Sequence, residues 1–241
     1  MDTKHSRVFT SLAIVLLIIT ACDHIPALRG SGNLTTETRP VSGFTAVELN
    51  GAGEVEIIQD GSESLTIETD DEIMKYISTE VRDGTLVVSQ HLGSPTPTRL
   101  DVTLHVNELT GISIPGKWSL HAKSLATDIL AIRVEGTTSI RIGALAAEEL
   151  TVTITGTGDL ELAGSAIAQT LVISGTGTYH AGRLHSETTS LVVSGAGDIT
   201  LWATKTLDMK IEGTCTIDYF GRPVINIAQT KACVIHNLGD K

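Results

Sequence analysis

A three-residue glycine corner recurs along the C-terminal two thirds of the chain, and its spacing restricts the fold more than any other feature. It reads Gly116-Lys117-Trp118, Gly136-Thr137-Thr138, Gly156-Thr157-Gly158, Gly175-Thr176-Gly177, Gly195-Ala196-Gly197 and Gly213-Thr214-Cys215, with Lys231-Ala232-Cys233 at the next place. The intervals are 20, 20, 19, 20, 18 and 18 residues. A sustained period of this length is the mark of a solenoid, in which one repeat cannot bury its own apolar face and neighbours complete it.

The residues around each corner say what the repeat is made of. Two places before the glycine stand Val134, Ile154, Ile173, Val193 and Ile211, and four before stand Ile132, Val152, Leu171, Leu191 and Met209. Six before are Leu130, Leu150, Gln169, Thr189 and Leu207. Four after are Ile140, Leu160, Tyr179, Ile199 and Ile217, and six after are Ile142, Leu162, Ala181, Leu201 and Tyr219. Only Gln169 and Thr189 are not apolar. The places between are polar, apart from Ala131, Val172 and Val192. Alternation with period two on both sides of a corner means two half-buried strands meeting at a bend.

Stacking such turns about 4.8 Å apart lines each apolar column along an inner wall. The expected fold is therefore all-β, a right-handed parallel β-helix with rungs of about 18–20 residues. The hand follows from the preference of crossovers between parallel strands. Six-residue units of the hexapeptide β-helix type are absent. The first corner position is Gly almost throughout, which calls for positive φ or close backbone approach, whereas the second admits Trp118, Thr138, Cys215 and Cys233.

The N-terminal third is less regular. Gly51-Ala52-Gly53 repeats the corner, with Val47 and Leu49 before it and Val55 and Ile57 after. Leu65–Glu68 reads as a strand, and Asp70–Ile77 as one or two helical turns with acids at the start. Ile77–Gln90 reads as a hairpin turning at Asp83-Gly84, and Leu100–Val106 as a further strand. This part is expected to cap the open end of the solenoid, as an unpaired sheet edge requires.

The chain begins with a targeting segment. Lys4 and Arg7 precede an apolar run from Val8 to Ile19, shorter than the roughly 20 residues of a membrane helix. The run ends at Ile19-Thr20-Ala21-Cys22, which resembles the lipobox of bacterial lipoproteins, where the Cys becomes the lipidated first residue. The expected layout is a signal peptide over 1–21, a tether over 22–40 and a single β-helix domain over 41–241. Localisation follows as the bacterial envelope, anchored in the membrane through lipid on Cys22, at the outer membrane or cell surface. Asp23 resembles an inner-membrane retention signal and keeps the inner membrane open.

Candidate chemistry is sparse. With 28 acidic and 17 basic residues the net charge is −11, which argues against nucleic acid as a partner. Three Phe, two Trp and three Tyr leave few stacking platforms. Asp159 and Asp198 follow corners but lie two rungs apart, so they read as surface acids rather than a calcium site. His180 and His185 lack metal-ligand spacing. Arg141, Glu161, His180 and Asp218 share one outward column, as in the groove of a polysaccharide lyase or an ordinary polar face. Trp118 stands at a corner, and Trp202 follows core Leu201 and should point outward. No metal, cofactor or catalytic residue is assigned.

Cys215 and Cys233 occupy the same corner position one rung apart. Stacking puts their Cα atoms about 4.8 Å apart, inside the disulfide range of roughly 4.4–6.8 Å, and an oxidising envelope favours closure. A disulfide is expected, with two stacked free thiols as the alternative.

The stretch Val41-Ser42-Gly43-Phe44-Thr45-Ala46-Val47-Glu48-Leu49-Asn50-Gly51-Ala52-Gly53-Glu54-Val55-Glu56-Ile57 resembles the opening of the head GIN domain family of auto-transporter adhesins. The Asp-Gly hairpin and the later Gly-x-Gly-Asp strands are similar too, over about residues 40–238. The resemblance implies a β-helix-like solenoid on a bacterial envelope lipoprotein. The chain departs from that pattern at Cys215, Lys231 and Cys233. The function expected is a lipid-anchored, extracytoplasmic, non-catalytic β-solenoid acting as a surface binding, adhesion or structural module, with an envelope protein or a glycan as partner. The alternatives are a carbohydrate-active β-helix enzyme and an envelope-stress or signalling accessory protein.

Overall fold

The alternating columns of the sequence stack into a β-solenoid of about six turns. It is seen in a computed structural model that describes residues 29–91, 93–229 and 231–241. The expected signal peptide over 1–21, Cys22 and Asp23 lie outside the described residues. The N-terminal strands are β1 (Leu34–Arg39), β2 (Ala46–Asn50), β3 (Ala52–Gln59), β4 (Ser64–Asp70), β5 (Ile77–Arg82), β6 (Thr85–Gln90) and β7 (Leu100–Val106). The solenoid continues through β8 (Gly111–Ile114), β9 (Lys117–Ala122), β10 (Leu125–Val134), β11 (Thr137–Ile154), β12 (Thr157–Ile173) and β13 (Thr176–Val193). It ends with β14 (Ala196–Ile211), β15 (Thr214–Phe220), β16 (Val224–Gln229) and β17 (Cys233–Asn237).

One rung shows how the sequence folds. In β11 the side chains of Thr138, Ile140, Ile142, Leu145, Leu150, Val152 and Ile154 are buried. Alternation breaks where two exposed residues adjoin, at Gly143-Ala144 and Glu148-Glu149. Each break is a bend, so a rung has three sides, over 137–142, 145–147 and 149–154. Every apolar column predicted from the corners is buried, and Gln169 and Thr189 are buried with them. The short middle side adds Leu125, Leu145, Ala166, Leu184 and Ala203 to the core.

Corner geometry explains the glycines. Gly116, Gly136, Gly156, Gly175, Gly195 and Gly213 do not have positive φ, whereas Gly51 does, at 95°. The requirement is close approach: a Cβ on Gly136 would lie 1.9 Å from the Gly116 carbonyl oxygen, and one on Gly195 2.0 Å from that of Gly175. Each of those carbonyls accepts from the next rung, as in Thr176 N–H to Gly156 O at 2.9 Å. The second corner position faces the interior. There Trp118 is buried, and Gly53 beside it makes room, since a Cβ would meet Trp118 Cζ3 at 2.8 Å.

The 19-residue interval has a local cause. Register from β11 to β12 slips between Ile142 and Leu145, where one residue is missing, and Gly164 absorbs the change at φ 121°.

At the N-terminal end β6 and β7 lie parallel to β2 and β3. Beyond them direction reverses: β5 pairs antiparallel with β6, β4 with β7, and β1 with β4. This is the expected cap. Its hairpin turns at Asp83 and Gly84, with φ 48° and 74°, the primed turn that matches strand twist. Two expectations need correction. The tether does not extend to residue 40, because Leu34–Arg39 form β1, whose backbone groups find partners in β4. The helix over Asp70–Ile77 shrinks to a 3-10 turn at Met74–Tyr76. Asp70 ends β4, and its carboxylate accepts from Gly32 N–H at 2.6 Å, Thr98 N–H at 2.7 Å and the Thr98 hydroxyl at 2.9 Å. It ties three segments together instead of starting a helix.

The C-terminal end is different. β16 pairs with β14 and β17 with β15, and neither has a second strand partner among the described residues. Ile225 and Ile227 continue the inward columns of Leu207 and Met209, yet stand 37% and 49% exposed because no rung among the described residues covers them.

Candidate binding surfaces

The first side of the rungs carries a continuous outward row. Strand register aligns Glu56, His121, Arg141, Glu161, His180, Thr200, Asp218 and His236. The sequence-predicted column of Arg141, Glu161, His180 and Asp218 is thus one row, longer at both ends than the corner count reached. From Arg141 onward, charges in the row pair with neighbours. Arg183 donates to Glu161 at 2.6 Å, Arg141 lies 3.6 Å from the same carboxylate, and His236 Nδ1 is 2.9 Å from Asp218. Exposed pairs of this kind contribute less than about 1 kcal/mol each and form a hydrated ladder rather than a convergent site.

Near the N-terminal end the row borders a shallow groove of about 630 Å³ lined by Glu54, Glu56, Asp101, Ser119, His121 and Arg141. Asp101 of this lining bonds Arg99, which lies 3.1 Å from Glu68, and these carboxylates raise the guanidinium pKa. Elsewhere, hydrogen bonds from Ser62, with a further one from His105, lower the exposed Asp60 carboxyl to about 2.

The metal candidates stay apart. Asp159 and Asp198 flank Thr178 in register, two rung spacings or about 9.6 Å apart. His180 aligns with Glu161 and Thr200 on the first side, and His185 with Trp202 on the second. No group of three His, Cys, Asp or Glu side chains among the described residues could hold a metal ion. The Tyr179 hydroxyl is enclosed in the core, where burial pushes its pKa up, and it reaches no surface.

The second side holds a feature the sequence reading missed. His185, Trp202 and Phe220 occupy aligned positions in three successive rungs. The His185 and Trp202 rings meet edge to face at 4.8 Å between centroids. Lys241 Nζ lies 4.2 Å from the Phe220 centroid and 5.7 Å from that of Trp202, and it donates to Gly182 O. Gly182 leaves space beside the rings, since a Cβ there would meet Phe220 Cε2 at 3.1 Å. The outward direction of Trp202 was legible. Its neighbours were not, because the rungs shorten between His180 and Thr188 and shift the alignment.

Cys215 and Cys233 are opposite one another in the inward corner column, disulfide-bonded with Cα atoms 4.6 Å apart. Among the described residues no helix is long and apolar enough to cross a membrane.

Comparison with known proteins places this geometry. A putative adhesin of Bacteroides fragilis NCTC 9343 has a similar structure, with a TM-score of 0.84 and 29% identity over 88% of this chain and 100% of that one. A putative adhesin of Parabacteroides merdae ATCC 43184 is similar in fold, with a TM-score of 0.67 at 18% identity, over 88% of this chain and 98% of that one. A putative lipid binding protein of Parabacteroides distasonis ATCC 8503 gives 0.69 at 18% identity, over 87% and 99%. No curated protein matches in sequence. The model of the family described as "putative auto-transporter adhesin, head GIN domain" matches residues 43–223, and the chain belongs to that family.

Proposed function

We propose that the chain is a lipid-anchored, extracytoplasmic, non-catalytic module that binds a surface glycan with the outer wall of its solenoid. The observation that carries this reading is the aligned His185, Trp202 and Phe220 stripe beside a ladder of mutually paired charges. With the exposed Lys241 side chain swung off the Phe220 and Trp202 rings, their faces take the apolar face of a sugar ring, and the flanking polar rows suit its hydroxyls. An extended wall fits an extended polymer, where a catalytic site would need acids converging on one bond. Lipid on Cys22 would hold the domain at the membrane through the residues before β1.

The test is retention of the purified full chain on cell-surface polysaccharide, with release of reducing ends or unsaturated products followed in the same samples. Saturable retention without new chain ends is expected. New chain ends would make the protein an enzyme, and retention only by an envelope protein would make it an accessory of that protein.

A further inference from the structure

The N-terminal end of the solenoid is closed, and its edge strands carry charges: Glu37 and Arg39 on β1, Glu80 and Arg82 on β5. Charged edge strands discourage further pairing. The C-terminal end lacks this protection. β16, Val224-Ile225-Asn226-Ile227-Ala228-Gln229, has neither a charge nor a proline. Its outer edge is unpaired among the described residues, and Val224, Ile225 and Ile227 are exposed, as are Val234 at 54% and Leu238 at 47% further along the chain.

We infer that this end is an interface for a second copy of the chain, joined about a two-fold axis with β16 antiparallel to its counterpart. Charge selects that occupant. The chain as a whole carries −11, so two copies repel over most of their surface. Residues 206–241, however, hold four Lys or Arg and four Asp or Glu, so their side chains sum to zero. Two copies therefore meet there without like charge concentrated at the contact. The capped opposite end blocks head-to-tail growth, which leaves the closed two-fold arrangement.

Register follows from the columns. Residues directly opposite in an antiparallel pair point to the same face, so inward residues must oppose inward residues. Asn226 then faces the partner's Asn226 on the axis, and Ile225 faces the partner's Ile227. Two truncated cores become one, and both free edges are satisfied.

Asn226→Cys in the full chain, held in detergent micelles and mildly oxidised, tests the arrangement, with Glu37→Cys on the capped end as control. The expected result is a disulfide-linked dimer of two 25.4 kDa chains for Asn226→Cys and none for Glu37→Cys. Sedimentation of the unaltered chain should give a dimer at micromolar concentration. Ile227→Lys should weaken it by roughly 30-fold, the effect of losing a central interface anchor, while Ile227→Val retains it. A monomer at every concentration to about 100 μM overturns the inference, a range in which a specific interface of this kind should form. Equal cross-linking at the two ends, or association only with a different protein, overturns it as well.

Discussion

A Cβ on Gly156 would lie 2.1 Å from the carbonyl oxygen of Gly136, the glycine one rung away. That oxygen accepts from Thr157 N–H at 2.8 Å, so the backbones at the corner are held in contact and no side chain fits between them. Two places on, the atoms nearest to a Cβ on Gly158 would be side-chain methyls, Leu160 Cδ1 at 2.9 Å and two carbons of Ile154 at 3.3 Å.

Gly156→Ala should therefore destabilise by at least about 3 kcal/mol, because the backbone must move, and Gly158→Ala by about 1 kcal/mol, because methyl groups can yield. Thermal or urea unfolding of the two variants measures this. Equal losses would contradict the corner geometry.

Asp70 governs the cap. Burial pushes its carboxyl up, but hydrogen bonds from the Thr98 N–H, the Gly32 N–H and the Thr98 hydroxyl more than offset this and leave it below the ordinary value of 3.8. A lowered folded-state pKa adds stability that is present above pH 3.8 and lost as pH falls through the folded value. Asp70→Asn should cost about 2 kcal/mol at neutral pH and remove this part of the acid sensitivity. Amide hydrogen exchange in β1 should rise first. Unchanged protection of Leu34–Arg39 would show that the carboxylate does not hold the cap.

The Cys215–Cys233 bond fastens the last described rung, where β17 has only β15 beside it among the described residues. Reduction, or Cys233→Ser, should lower stability by about 3 kcal/mol in the chain-entropy account of a short loop. Loss of protection should concentrate in β16 and β17. Two alkylatable thiols in protein folded in an oxidising compartment would show that the pair is not closed.

Cys22 sits at the end of the only lipobox-like stretch. Cys22→Ser should leave the chain either unprocessed or released from membranes, as read by N-terminal mass spectrometry and fractionation. A processed, membrane-bound variant would exclude lipid on this residue.

The solenoid was legible because period-two alternation and the rung period repeat often enough to reinforce each other. Ile154, Ile173 and Val193 each announce the same column, and all are buried. The irregular parts were not legible, and each has a local reason. Leu34–Arg39 resembles a linker, and only β4, remote in sequence, makes it a strand. Asp70 resembles a helix start until Thr98 is brought beside it. His185, Trp202 and Phe220 lie 17 and 18 residues apart, so a fixed period does not align them, and only the paired strands do.

The central claim is that the wall bearing Trp202, and not the acidic groove bearing Glu56, binds the ligand. Equilibrium binding of one surface polysaccharide to four forms of the full chain tests this most directly. Trp202→Ala should weaken binding by roughly 30-fold, as expected for an aromatic anchor, and Trp202→Phe should restore most of it. Glu56→Gln should bind as the unaltered chain does. Binding lost through Glu56→Gln and kept in Trp202→Ala would contradict the account.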